Sequence, residues 1–177
     1  MIGLESHFSL ESPDETLENV APLYIETIQN IQPKGPYHFV GTSFGGLLSF
    51  EVAQQLKKKG EEVHLTMIDI VNPDAYQSRE MYETLRDLFS EGTQPPPTSD
   101  RTEQIKQIMK QMQFDSISFS QQEKIFDLMN IHWNAFRNYH PKPYDGEVLF
   151  FEGTKRIQAL KETPLHSTWK HLIKKMD

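Results

Sequence analysis

Cysteine is absent from the 177 residues. That excludes disulfides, thiolate catalysis and cysteine–zinc sites. A basic excess is lacking too: 18 Lys and Arg stand against 25 Asp and Glu, for a formal net charge of −7. An acidic balance gives no general attraction to nucleic acid or to anionic membrane. No apolar run approaches the roughly 20 residues a membrane helix needs. The start, Met1-Ile2-Gly3-Leu4-Glu5-Ser6, lacks the basic stretch and apolar run of a signal peptide. There is no internal repeat, and Pro95-Pro96-Pro97 is the one low-complexity tract. What is present is 37% hydrophobic and 11% aromatic residues, which argues against disorder. The length suffices for one domain with its own core. These features predict a soluble, cytoplasmic, single-domain protein with no nucleic-acid or membrane partner and no metal site.

The pattern of the first half is strand, turn, helix, strand. Ile2-Gly3-Leu4 is compatible with a strand end. Ser12-Pro13-Asp14-Glu15 reads as a capping box, and Leu17, Val20, Ala21, Tyr24, Ile28 and Ile31 recur at helical spacing, predicting a helix over Pro13 to Ile31. After the turn at Gln32 to Pro36, Tyr37 to Gly41 reads as a buried strand, and Leu47 to Lys59 as an amphipathic helix stopped by Gly60. Val63 to Ile70 is the next strand. Two strands joined by a helix in about 34 residues form a βαβ unit, whose strands are parallel.

Beyond Asn72-Pro73-Asp74 the character becomes helical. Helices are predicted over Met81 to Phe89, Arg101 to Phe114 and Ser120 to Tyr139, the last with Ser120 and Glu123 as a capping box. Gly92 to Asp100 reads as a linker. Pro141 to Gly146 is read as a turn, Glu147 to Glu152 as a buried strand, and the tail as a short helical segment around Trp169 ending at Lys174-Lys175. Phe114, Phe119, Phe126, Trp133 and Phe136 can line a channel or form an aromatic helix core; core is favoured for at least half of them.

Gly41-Thr42-Ser43-Phe44-Gly45 matches G-x-S-x-G between a strand and a helix, the setting of a nucleophile elbow. Ser43 on a sharp, strained turn would project its hydroxyl above the sheet. Gly41 and Gly45 would leave room for the turn, and Gly46 would let the helix approach the strand. The Phe44 backbone N–H would face a developing oxyanion. Asp69, in Met67-Ile68-Asp69, reaches the same sheet edge because parallel strands end together, so it can orient a base; a turn-capping aspartate is the plainer alternative.

The run from Gly35 to Gly46, followed by Phe50-Glu51-Val52-Ala53 and Lys59-Gly60-Glu61-Glu62-Val63, resembles the thioesterase domains of modular synthases. These are α/β-hydrolase domains that release products from nonribosomal peptide, polyketide and fatty-acid synthases. The likeness includes the helix from Pro22 to Pro33 and Tyr144-Asp145-Gly146 before a strand. It implies an α/β fold: an α/β-hydrolase-type, mostly parallel sheet with flanking helices and an inserted helical lid. The core would comprise 1–73 and 140–177, and the lid 74–139. Ser43 matches the family's nucleophile and Asp69 its acid, 26 residues later; Thr42 replaces a usual aromatic. The family's catalytic histidine, in a Gly-Asp-His-like turn one strand after the segment resembling Trp169, is expected beyond Asp177, and its second oxyanion N–H before Met1. By this likeness the chain is truncated at both ends. His166 and His171 are the nearest local substitutes; His7, His38, His64, His132 and His140 read as packed or solvated.

The implied reaction is hydrolysis or cyclisation of an acyl, peptidyl or polyketide thioester through an acyl-serine. The substrate rides on phosphopantetheine, the partner is a carrier protein or domain, and no cofactor is bound directly. Another serine hydrolase of the esterase or lipase type, or a catalytically incomplete acyl- or carrier-binding module, stands as the alternative. The residues leave open the acyl substrate, the oligomeric state, and whether the domain is integrated or free-standing.

Overall fold

Glycine, proline and the spacing of apolar residues decide where each element begins. The computed structural model describes Gly3 and residues 6–89, 96–153 and 164–176. The elements are α1 (Leu17–Ile31), β1 (Tyr37–Thr42), α2 (Ser43–Lys58), β2 (Val63–Ile68), a 3₁₀ turn (Pro73–Ala75), α3 (Met81–Phe89), α4 (Arg101–Gln111), α5 (Phe119–Arg137), β3 (Tyr144–Phe151), α6 (Leu165–Trp169) and β4 (Ile173–Met176). The four strands lie in the order β1-β2-β3-β4, every pair parallel.

Several boundaries differ from the sequence reading. Ser12 does not cap α1. Ser12 to Glu15 closes a turn (Glu15 N–H to Ser12 C=O, 3.3 Å), and Thr16 caps the helix through Asn19 N–H. The helix starts where its apolar face starts, at the fully buried Leu17. α4 ends at Gln111 rather than Phe114, because Gln113 turns left-handed (φ 62°). Phe114 N–H then reaches Met109 C=O and Gln113 N–H reaches Lys110 C=O, a Schellman closure. The capping box of α5 is Ser118 with Gln121, not Ser120 with Glu123. β3 begins at Tyr144, inside the expected turn, and Ile173–Met176 is a strand rather than a helix end. Ile2 and Leu4 lie outside the described residues.

α1, α2 and Trp169 of α6 cover one face of the sheet, packing on Tyr37, Leu65, Met67, Tyr144 and Val148. Phe50 sits between Tyr144 and Trp169, with ring centroids 5.5 and 5.0 Å away. Pro22 lies inside α1 and has no N–H for the Glu18 carbonyl four residues back. Gln55 of α2 supplies the missing donor at 3.1 Å, which ties the two helices together. On the other face of the sheet Val40, Leu149 and Phe151 are exposed, and Thr66 and Ile68 are half-buried.

The helices between β2 and β3 hold a second core of Met81, Tyr82, Ile105, Ile108, Met109 and Phe126. α5 belongs to both cores: Phe126 faces this one, Ile131 and Ala135 the main one. Trp133 and Phe136 pack partly buried, while Phe114 and Phe119 are exposed, so the aromatics divide much as helix-core residues would.

Candidate active site

β1 runs into α2 with no intervening loop: Thr42 ends the strand and Ser43 opens the helix. Ser43 makes that junction with φ 51°, a left-handed backbone that costs a non-glycine residue on the order of 1–3 kcal/mol. The turn closes because Gly41 and Gly46 touch. A Cβ on Gly41 would sit 2.8 Å from Gly46 N, and one on Gly46 would strike the Ile70 side chain and approach Gly41 O to 2.9 Å. Gly45 is a correction to the sequence reading: a Cβ there meets nothing within 4 Å, so it does not make room for the turn. Its carbonyl instead accepts the Ser49 hydroxyl at 2.8 Å. Thr42 gives α2 no side-chain cap and the first turn carries no acid, so neither occupies the N–H groups that open α2.

Asp69 follows β2 and has the same φ of 51°. The register explains why the two meet: Thr42 pairs with Ile68, and Ile68 with Phe151. Ser43, Asp69 and Glu152 are therefore each the first residue past a paired row, side by side along the C-terminal edge of the sheet. Asp69 N–H continues the ladder to Phe151 C=O (2.9 Å), and its Oδ1 accepts Gly153 N–H (2.7 Å). Glu152 Oε1 accepts the backbone N–H of His166 at 2.5 Å and its ring Nδ1–H at 2.7 Å. The sequence reading missed Glu152 and Gly153, whose partners are 14 and 84 residues away and carry no local pattern.

The histidines are spread widely. His38 and His64 stack on the exposed sheet face, centroids 4.7 Å apart, and His64 pairs with Glu62. His7 packs edge-on against Tyr24, and His140 lies by Gln77 and Asp74. His171 is exposed. Among the described residues no histidine hydrogen-bonds Ser43 or Asp69.

His132 of α5 comes against the elbow. Its ring stands edge-on to Phe44 (4.9 Å) and tilts against Phe8 (5.0 Å), while Phe8 and Phe44 are 5.3 Å apart. Leu128 C=O can only accept, so Nδ1 carries the hydrogen of that 2.9 Å contact; Nε2 then accepts the Ser6 hydroxyl at 3.1 Å. Burial holds the imidazole below its usual range, against the Leu128 carbonyl, which favours the proton. A cavity of about 540 Å³ opens elsewhere, among Glu80, Tyr82, Arg101, Gln104 and Phe126 of the helical layer. None of the elbow residues lines it.

A parallel sheet with a serine elbow and an acid on the next strand defines the α/β-hydrolase class. The thioesterase-domain family model matches residues 4–175, and the chain belongs to that family. It is 30% identical over 154 residues to a dimodular nonribosomal peptide synthase of Bacillus subtilis, covering 81% of this chain and 6% of that one. It is 42% identical over 67 residues to the N-(5-amino-5-carboxypentanoyl)-L-cysteinyl-D-valine synthase of Amycolatopsis lactamdurans, covering 37% of this chain and 2% of that one. Among solved structures, a four-domain nonribosomal peptide synthetase bound to AMP and glycine superposes with a TM-score of 0.72 at 22% identity, covering 98% of this chain and 14% of that one. The NocB thioesterase domain in covalent complex with a fluorophosphonate nocardicin G analog superposes at 0.62 and 24%, covering 92% of this chain and 63% of that one. The chain thus spans a small part of the synthases it matches. Among the described residues no helix is long and apolar enough to cross a membrane.

Proposed function

We propose that this domain releases an acyl, peptidyl or polyketide chain from a phosphopantetheine carrier through an acyl-serine. The observation that carries the reading is the matched left-handed backbone of Ser43 and Asp69 at neighbouring strand ends. Strain of that kind is held where the surrounding structure over-determines it, and it clusters at reactive sites. Ser43 Oγ attacks the thioester carbonyl and its proton passes to a histidine base. The Phe44 N–H, at the opening of α2, stabilises the oxyanion. The C–S bond then breaks, and the base returns the proton to the leaving pantetheine thiol. Water, or a nucleophile within the acyl chain, cleaves the ester by the same steps and regenerates Ser43.

Asp69 orients the histidine and stabilises its charged form. By the likeness to thioesterase domains the base is expected in a turn one strand beyond the Trp169 segment; β4, parallel to β3, runs in the direction of the sheet edge that holds Asp69. Residues 74–139 act as the lid over the acyl site, and a carrier protein or domain presents the substrate. No cofactor is bound directly.

The test is a fluorophosphonate serine reagent applied to an active, longer form that carries the histidine, followed by peptide mass mapping. The adduct is expected on the Thr42–Phe44 segment and is lost in Ser43→Ala; an adduct elsewhere refutes the assignment. Thioester turnover by the 177-residue chain is expected to fall several orders of magnitude below that of a longer form carrying the histidine. Equal turnover would place the base among the histidines present here.

A further inference from the structure

Asp69 sits inside a closed ring of contacts that the reaction scheme does not use. On one side, Gly153 N–H donates to Asp69 Oδ1 at 2.7 Å. A Cβ on Gly153 would lie 2.9 Å from Asp69 Oδ2, so the backbone comes this close because residue 153 is glycine. The adjacent Glu152 takes two N–H groups of His166, from backbone and ring, on one oxygen. An ionised carboxylate only accepts, so Nδ1 carries the hydrogen and the imidazole plane is fixed by the contact. The carboxylate is 19% exposed and the imidazole 42%, so the pair is partly shielded from water. On the far side, α6 is pinned to the residues that follow Asp69: Trp169 Nε1–H donates to Ile70 C=O (3.0 Å), and Thr168 C=O accepts Asn72 Nδ2–H (2.8 Å).

We propose that Glu152 and His166 are positioning residues for Asp69. Their contact clasps the end of β3 to α6 and so holds the Gly153 N–H on Asp69 Oδ1. With one oxygen anchored, the carboxylate cannot rotate freely, and the other oxygen is left for an orienting role. The inference rests on Asp69 as the acid of the site, but the clasp itself is a matter of hydrogen bonds that can be read without turnover. Misplacing a catalytic group by about 1 Å can cost on the order of 100-fold in rate, so a clasp this close to Asp69 has leverage on the chemistry.

The experiment uses the ¹⁵N-labelled chain and reads the Gly153 amide proton. In the wild type the carboxylate bond is expected to shift it downfield and to slow its exchange. Glu152→Ala, which removes the acceptor of both bonds, is expected to return the shift towards that of a free amide and to speed exchange about tenfold or more; His166→Ala, which keeps the backbone bond, is expected to move both in the same direction by less. His166→Asn, whose side-chain N–H can still donate to Glu152, is expected to restore both. The Trp169 indole signal reports whether α6 is still docked; if an alanine variant loses it, Glu152→Met, which keeps the length of the side chain and removes both acceptor oxygens, decides. An unchanged Gly153 amide in the docked variants, or a failure of His166→Asn to rescue, overturns the proposal. A parallel labelling of Ser43 by the fluorophosphonate, in a longer form that carries the histidine, separates the two readings. Labelling about tenfold slower in His166→Ala and recovered in His166→Asn supports the clasp's role. Equal rates overturn it and leave Ser43 standing, whereas no adduct on Ser43 in the wild type refutes the nucleophile while the Gly153 amide still decides the clasp.

Discussion

The βαβ unit of β1, α2 and β2 and the helical layer of α3, α4 and α5 are built on different principles. In the first, backbone meets backbone: Gly41 against Gly46, with Ile70 filling the space a Cβ would take. Leu47, Phe50, Ala53, Leu56 and Met67 are entirely buried there. In the second, side chains meet side chains around a small separate core, and ion pairs such as Arg101–Asp127 and Arg137–Glu80 decorate partly exposed surfaces. Exposed pairs of this kind contribute little. Strain divides the same way. Two of the three left-handed non-glycine residues among those described, Ser43 and Asp69, mark the candidate site; the third, Gln113, merely ends α4. The left-handed Ser43 and Asp69 belong to the unit packed backbone to backbone, and the helical layer keeps a core of its own.

Truncating one buried residue in each region should break this contrast if it is false. Phe50→Ala removes a ring packed on both Tyr144 and Trp169. It is expected to cost about 3–5 kcal/mol and to lower the cooperative transition of the whole chain, measured in urea. Ile108→Ala, equally buried but in the second core, is expected to cost about 2–4 kcal/mol and to act locally. Hydrogen exchange should then quicken in α3 to α5 with β1, α2 and β2 still protected. Uniform loss of protection in both variants would show a single cooperative unit.

The two regions are joined at a buried acid. Glu51 of α2 accepts the Tyr139 hydroxyl at 2.6 Å, just after α5, and Gln55 Nε2–H at 2.8 Å. Burial first, then the charge of Glu51, push the Tyr139 phenol far above its ordinary range, so it serves as a neutral donor at all working pH values. Tyr139→Phe keeps the ring and strips the donor from a buried carboxylate. It is expected to cost about 1–3 kcal/mol in urea unfolding. A loss well below that would mean water or a neighbour replaces the hydroxyl, and the join is looser than its geometry.

The contrast also explains what the sequence could show. The tight turn at Ser43 was legible because close backbone approach demands glycine, though the contact is Gly41 with Gly46 rather than Gly45, and the placement of Asp69 beside Ser43 because parallel strands end at a common edge. Gly60 was legible as a helix stop for the same conformational reason, and it does take φ 84°. Helix starts were less so. Ser12 and Thr16, or Ser120 and Ser118, compete within a few residues, and the winner is set by where the apolar face begins to bury. β4 was read as a helix end because Ile173-Lys174-Lys175-Met176 is too short and too charged for a strand pattern. Two lysines are what an edge strand uses to refuse further pairing, and Lys175 reaches Glu147 of β3 at 3.4 Å. The Glu152–His166 and Gly153–Asp69 contacts depend on how β3 and α6 meet, which no spacing along the chain encodes.

Strain sharpens the comparison further. Glycine adopts a left-handed backbone without the steric cost, so Ser43→Gly is expected to stabilise the chain by about 1 kcal/mol while abolishing labelling by the serine reagent. Gln113→Gly is expected to stabilise by about 0.5 kcal/mol and to leave labelling unchanged. Thermal denaturation with a labelling assay reads both. If Ser43→Gly is neutral or destabilising, the left-handed serine is not a stored cost, and strain gives no marker of the site.

The smallest effect is expected where the two regions touch, at His132 against Phe44. Its folded value lies below the ordinary 6.5, so the unfolded chain takes up the proton first as pH falls. The contribution of the neutral ring is fully present above 6.5 and is lost as pH drops through the lower folded value. His132→Phe keeps an aromatic ring beside Phe8 and Phe44 and removes the proton. The melting temperature of the wild type is therefore expected to fall more steeply between pH 7 and pH 5 than that of the variant. Parallel slopes would mean that protonated His132 is accommodated at the seam, by the Ser6 hydroxyl turning to accept, and that α5 keeps its hold on the elbow across that range.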